Sequence, residues 1–224
     1  MRIGDVSFWY ADIGLPYRRA ALAGDRTADV AIIGAGYTGL WTAYYLKQAN
    51  PALDVLVIEK DFAGFGASGR NGGWLTGGFA WNHARYLETS SEHGVRAMVE
   101  AMNGTVAEAC GIDADIQRTE ELMVATKPAQ VGRMRAEVEH RRHWGEDGRV
   151  FEMSARDLME RIRIPGALGA MVVTNVARVQ PAKLVRGLAK AVERLGVRIV
   201  EGTTVSAYEP GVVTTDHGTV QAPV

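Results

Sequence analysis

Gly34-Ala35-Gly36-Tyr37-Thr38-Gly39 sets three glycines in the spacing GxGxxG. The six residues follow an apolar run, Ala28 to Ile33, and lead into Leu40 to Gln48, which reads as a helix. Between a strand and a helix this spacing suits the pyrophosphate of a dinucleotide. Gly34 permits a tight turn, and Gly36 has no side chain to keep a phosphate from the backbone N–H groups. Gly39 lets the helix lie close to the sheet. The helix N-terminus adds positive potential. Glu59 lies twenty positions beyond Gly39, at the end of a second apolar run from Asp54. A carboxylate there accepts from both ribose hydroxyls of an adenosine and repels a 2′-phosphate. Tyr37, Thr38 and Lys60 complete this first set of candidate cofactor contacts. The plain alternative is a glycine-rich turn of an unrelated α/β protein, with Glu59 a solvated strand end. Strand, glycines, helix, second strand and acid all agree against it.

The fingerprint alone does not separate NAD from FAD. A second block does: Gly64-Phe65-Gly66-Ala67-Ser68-Gly69-Arg70-Asn71-Gly72-Gly73. With the GAGYTGL opening at Gly34–Leu40, it resembles the D-amino-acid oxidase and glycine oxidase superfamily of FAD-dependent oxidoreductases. The amine-oxidising branch that includes gamma-glutamylputrescine oxidoreductases is the nearer likeness. A third stretch, Gln180 to Val205, is similar to the helix and strand by which that family re-enters its nucleotide domain. The resemblance implies that Ser68 bonds pyrophosphate or ribityl oxygens. It implies that Arg70, Asn71, Gly72 and Gly73 run beside the isoalloxazine ring, and that Val205 sits where adenine is held by backbone groups. A surface salt bridge for Arg70 and a turn role for Asn71 stand as alternatives. The implied activity is oxidation of a CH–NH bond in an amine, polyamine derivative or amino acid, by hydride transfer to flavin N5. An NAD-linked dehydrogenase and a non-catalytic nucleotide-binding fragment or subunit are the competing classes. The first gives no reason for the Ser68–Gly73 block.

These residues need elements to hold them. Strand, glycine turn, helix and strand make a βαβ unit, expected to be right-handed and parallel. Asn50-Pro51 ends its helix. Gly64 to Gly78 carries seven glycines in fifteen positions and reads as irregular backbone. Residues 82–111 read as mainly helical, Glu121 to Thr126 as a strand, Ala129 to Trp144 as a charged helix, and Ser154 to Ile162 as a short helix with a capping-box-like start. Met171 to Val173 and Ala177 to Val179 read as two strand pieces. Pro181 opens an amphipathic helix stopped by Gly196. Val197 to Val200 is a strand, and Val205 to Tyr208 and Val212 to Thr215 read as antiparallel strands about Glu209-Pro210-Gly211. Val220 to Val224 reads as a strand in progress. The expected fold is α/β, a Rossmann-like FAD-binding domain with an inserted partial α+β substrate domain. Its parts are an extension over residues 1–27, an FAD-binding domain over 28–80 and 174–224, and a partial substrate domain over 81–173. The extension, with Phe8, Trp9, Tyr10 and Tyr17, is expected to pack on the first domain, because exposed aromatics are costly.

Composition narrows the rest. The 224 residues are 47% hydrophobic and 23% charged, with a net charge of -1. No basic field points to nucleic acid or an anionic membrane. Cys110 is the single cysteine, which excludes an intrachain disulfide and a four-cysteine metal site. No secretory h-region and no spanning stretch is evident, so a soluble cytoplasmic protein with no bound metal is expected. His83 reads as a helix-surface histidine, Cys110 as core packing, and His140-Arg141-Arg142-His143 as a solvated face. Trp74, Phe79 and Trp81 suit a substrate pocket or a domain junction equally. The resemblance implies a longer protein whose later half supplies much of the substrate site. The chain is thus expected to be an N-terminal portion, the rest being a missing C-terminal half or a partner chain.

Overall fold

The structure is a computed structural model and describes residues 6–78, 83–105 and 112–224. In chain order the elements are α1 (Phe8–Ile13), β1 (Arg26–Thr27), β2 (Val30–Ile33), α2 (Tyr37–Ala49) and β3 (Val55–Ile58). A single 3-10 turn (Ala67–Gly69), β4 (Trp74–Thr76), α3 (His83–Leu87), α4 (Glu92–Thr105), β5 (Gln117–Ala125) and α5 (Pro128–His143) follow. The remainder is β6 (Val150–Ser154), α6 (Ala155–Arg161), β7 (Gly169–Arg178), α7 (Pro181–Arg194), β8 (Arg198–Val200), β9 (Val205–Glu209), β10 (Val212–Thr215) and β11 (Gly218–Gln221). Two compact units emerge, one of Met1–Gly73, Ile112–Asp115 and Val179–Val224, the other of Trp74–Gly111 and Ile116–Arg178.

The first unit is built on a parallel sheet in the order β2-β3-β8. β3 has no solvated face: all four of its residues are buried. Its alternation sorts them, with Val55 and Val57 joining Leu40, Ala43, Val185, Leu188 and Val192 of α2 and α7 on one side. Leu56 and Ile58 face the other way, into a cluster with Leu22, Val200, Val213 and Val220. Period-two geometry therefore turns a continuous apolar run into two cores. α7 carries most of its side of the core: Leu184, Val185, Leu188, Ala189 and Val192 are all buried. Each Leu or Val among them contributes roughly 1.5–3 kcal/mol on burial. Gly196 follows with φ 86, a left-handed stop. The second face is covered by the sheet β1-β11-β10-β9, antiparallel except where β1 joins β11. β11 ends at Gln221, short of the strand expected through Val224. The Val224 carbonyl instead accepts from the Ala31 N–H, 2.9 Å away. Near the N-terminus, Tyr10 is buried in a cluster with Phe62 and Ala182, with Trp9 packed against it. Phe8 and Tyr17 are exposed, so only part of the aromatic extension is used for packing.

The second unit is an antiparallel sheet in which β7 is the common partner: β5 lines one edge, β6 and β4 share the other. The two strand pieces expected over residues 171–179 are one strand. Asn175 sits mid-strand at φ 58, beside an irregularity at Thr119/Glu121 in the β5 pairing. Its side chain donates to the Asn103 carbonyl (3.0 Å), so the sequence break reads as a bulge and not as an end. The helix expected over residues 82–111 is α3 and α4, separated near residue 90; residues 106–111, including Cys110, lie outside the described residues, as do Phe79 and Trp81. Two expectations for histidines are corrected here. His83 is buried, stacked on Trp144 at 5.1 Å with rings 8° apart, and its Nδ1 lies 3.0 Å from His140 Nε2. Burial, then His140, holds its imidazole below the ordinary value. The His140–His143 run is not a solvated face throughout, since Arg141 turns inward onto buried Glu146 through two bonds of 2.6 and 2.9 Å. A buried charge that has found its counter-ion leaves no trace in composition.

Candidate cofactor site

The site is assembled at the carboxyl ends of β2 and β3. Gly34 leaves β2 at φ 99, and its N–H donates to the Ile58 carbonyl (2.8 Å), so the turn is sewn to the neighbouring strand. A Cβ at Gly39 would lie 2.1 Å from the Gly34 carbonyl oxygen and 3.1 Å from Ile32. Only glycine allows the helix this close. A Cβ at Gly36 would meet Ser68 Oγ at 3.0 Å, so the cradle is bounded by a hydroxyl and would be filled by any side chain. Gly36 is also the N-cap of α2 and offers no side-chain cap. Ser68 Oγ fills that role from outside, accepting from the Tyr37 N–H at 2.9 Å. Having accepted once, the hydroxyl still has its own proton to donate.

Glu59 faces the same turn. One carboxylate oxygen accepts from the Ala35 N–H (2.8 Å), the other from the Asp61 N–H (2.9 Å). A carboxylate has about four lone-pair positions, so two remain for a vicinal diol. Lys60 and Thr38 are exposed beside it, and Tyr37 is half-buried, its hydroxyl donating to the Pro181 carbonyl at 3.1 Å. Burial raises the Tyr37 phenol above its ordinary value and keeps it a donor.

The second glycine block closes over the first, with the Gly64 N–H donating to the Ala35 carbonyl (3.0 Å). Gly64 has φ 83, and a Cβ there would strike Val185 at 2.3 Å. Asn71 is turned into its own loop: Nδ2 donates to the Ser68 carbonyl (2.9 Å) and Oδ1 accepts from the Gly73 N–H (2.9 Å). This is the turn role. Arg70 lies over the Phe65 ring at 4.8 Å, with Nε donating to the Gly66 carbonyl (3.3 Å). The salt bridge considered for it is not among the ion pairs of the described residues. At Gly72 a Cβ would meet open space, whereas at Gly73 (φ 75) it would strike the Val179 carbonyl at 2.5 Å. Val205 opens β9 and packs toward the cluster beneath β3, away from the hydrogen bonds of the glycine turn. Gly34, Gly36, Gly39, Tyr37, Glu59 and Ser68 are thus brought together, with Arg70, Asn71, Gly72 and Gly73 in the loop that closes on them. Sequence reasoning assigns no role to Ser7 and Glu201, and of Trp9 and Tyr10 it predicts only packing on the first domain. Their hydrogen bonds to the loop and to Ala63 at its entry go beyond that.

A parallel sheet whose first turn presents bare backbone N–H groups at a helix N-terminus, with an acid beside it, defines a dinucleotide-binding protein of Rossmann type. A diphosphate needs donors and no Cβ at Gly36, and an adenosine ribose needs acceptors at Glu59; the residues present fit a flavin adenine dinucleotide. Residues 29–224 match the family model DAO, described as FAD dependent oxidoreductase. The chain belongs to that family, and its cofactor is FAD. It is 30% identical over 206 residues to the gamma-glutamylputrescine oxidoreductase of Escherichia coli (strain K12), covering 88% of this chain and 47% of that one. Among solved structures, glycine oxidase from Geobacillus kaustophilus matches with a TM-score of 0.68 at 24% identity, over 88% of this chain and 54% of that one. L-proline dehydrogenase from P. horikoshii gives 0.74 at 18%, over 89% and 52%. These two likenesses concern the fold. The chain spans about half the length of the curated relatives it matches. No helix among the described residues is long and apolar enough to cross a membrane, and no cluster of metal-ligating side chains occurs among them.

Proposed function

We propose that this chain carries the FAD-holding part of an oxidoreductase acting on a CH–NH bond of an amine, polyamine derivative or amino acid. The first unit is the FAD-binding domain and the second contributes to the substrate side. The observation that carries the reading is the pairing of Glu59 and Ser68 about one glycine turn. The N–H groups at the start of α2 and the Ser68 hydroxyl bind the pyrophosphate, and Glu59 accepts from the adenosine ribose. Gly72, where a Cβ meets open space, leaves room for a flat ring beside the loop, while Gly73 packs against Val179 and Trp9. The Val205 backbone is assigned to the adenine by the family resemblance. The chemistry that FAD supplies when bound is acceptance of a hydride at N5 from the carbon next to an amine nitrogen, leaving an imine that water hydrolyses to a carbonyl. This chain's residues bind and orient the cofactor; the substrate is a small amine or amino acid. The name of the gamma-glutamylputrescine relative supports the substrate class.

The test is direct. Purified protein is expected to be yellow, or to take up FAD on reconstitution with the visible absorbance of bound flavin. Anaerobic addition of amines to the loaded protein is then expected to bleach that absorbance. A chain that stays colourless in excess FAD overturns the cofactor assignment, and a loaded protein bleached by hydroxy acids but by no amine overturns the substrate class.

A further inference from the structure

The family match begins at residue 29, yet three of the hydrogen bonds that hold the loop Gly64–Gly73 come from side chains before it, beside those to Ala35, Tyr37 and Val179. α1 is six residues long, and three side chains from it or its cap reach three different carbonyls of that loop. The Tyr10 hydroxyl donates to Gly64 (3.1 Å), Ser7 Oγ to Gly69 (3.2 Å) and Trp9 Nε1 to Asn71 (2.7 Å). The Trp9 ring also lies against Gly73, and the Tyr10 ring against Gly69, where a Cβ would meet its hydroxyl at 2.5 Å. Gln180, the N-cap of α7, fixes α1 in turn by donating to the Trp9 carbonyl (3.0 Å). Further along, Arg19 pairs with the fully buried Glu201 (2.7 Å), whose same oxygen accepts from the Ala63 N–H (2.8 Å) at the entry to the loop.

We propose that the N-terminal segment from Ser7 to Arg19 is a brace that sets the shape of the flavin loop, with Ser7, Trp9 and Tyr10 as positioning residues for FAD. The physical reason is the rigidity of the peptide plane. A trans peptide carries its C=O and N–H on opposite sides. Pinning the Asn71 carbonyl onto Trp9 therefore turns the Gly72 N–H to the side away from α1, on the ring side of the loop, whereas Ser68 is tied to the first turn by the Tyr37 N–H. A loop of this glycine content is otherwise free to sample many shapes, at a backbone entropy of roughly 1–2 kcal/mol per residue fixed. Burial pushes the Tyr10 phenol up to about 12, so it remains a donor at physiological pH. The adenosine end is independent of the brace, because Glu59 and Gly34–Gly39 are held by β2 and β3.

This inference rests on the FAD reading, and the experiment separates the two. Ser7→Ala, Trp9→Phe and Tyr10→Phe, singly and together, remove the three donors while keeping most of the packing. Titration of the full chain with FAD and with ADP is expected to show FAD binding weakened by about tenfold in the triple variant, the worth of one or two net hydrogen bonds. ADP binding is expected to stay as in the unaltered chain. Amide exchange of residues 64–73 without cofactor is expected to speed up, while that of 34–39 does not. If loop exchange is unchanged, or FAD and ADP weaken in step, the brace is overturned. If the unaltered chain binds ADP but not FAD, it is the FAD reading that fails.

Discussion

The two glycine-rich segments of the first unit do comparable work and are stabilised in opposite ways. Gly34–Gly39 is held by β2 before, α2 after, and Ile58 and Glu59 at the end of the next strand, with one bond each to Ser68 and Gly64 of the second segment. Gly64–Gly73 lies outside the parallel sheet. To its own turn bonds and its ties to Ala35, Tyr37 and Val179 it adds side chains 54 to 62 positions away in α1 and its cap, with Glu201 holding Ala63 at its entry. A turn embedded in regular structure specifies itself. A loop between elements must borrow its order.

The widest contrast comes from removing the borrowed support. Arg19→Ala leaves Glu201 buried with its charge unpaired, and is expected to cost about 3–5 kcal/mol; a denaturant midpoint reads this, with loop 64–73 the first to lose exchange protection. Gly39→Ala attacks the self-held turn. With 2.1 Å to a backbone oxygen, the helix must shift, at about 1–3 kcal/mol, which is expected to lower the melting midpoint by about 3–10 °C. FAD and ADP binding are expected to fall together, unlike in the brace variants. Glu59→Ala removes the ribose acceptor; FAD and ADP dissociation constants are expected to rise by about tenfold or more, as for hydrogen bonds to a charged group. Gly72→Ala is the mildest: its Cβ meets open space and its φ is ordinary, so stability is expected within about 0.5 kcal/mol of the original. If FAD then binds more weakly while ADP does not, the ring passes at Gly72; equal binding of both moves it elsewhere.

The same contrast explains what could be read in advance. Strand, turn, helix and acid around Gly34–Glu59 are local and periodic, and α7 announces itself through Pro181, its apolar face and Gly196. The positions of Ser7, Trp9 and Tyr10 depend on contacts across the chain, which no window of sequence contains. Asn175 misled for a related reason. Polar residues within an apolar run signal a break, and here the break is a bulge answered by Asn103, seventy-two positions away. His83 likewise looks like any helix-surface histidine until Trp144 and His140 are brought to it.

β7 imposes an order on synthesis. Within the described residues, β4, β5 and β6 pair with β7 and not with one another. As the chain leaves the ribosome, at ~5–20 residues per second, all three emerge before their common partner. Trp74 and Arg178 bracket the interval during which those strand edges stay open to other chains, so chaperone dependence and misassembly of the nascent protein should concentrate there, and slowing translation within it should lower the yield of folded protein.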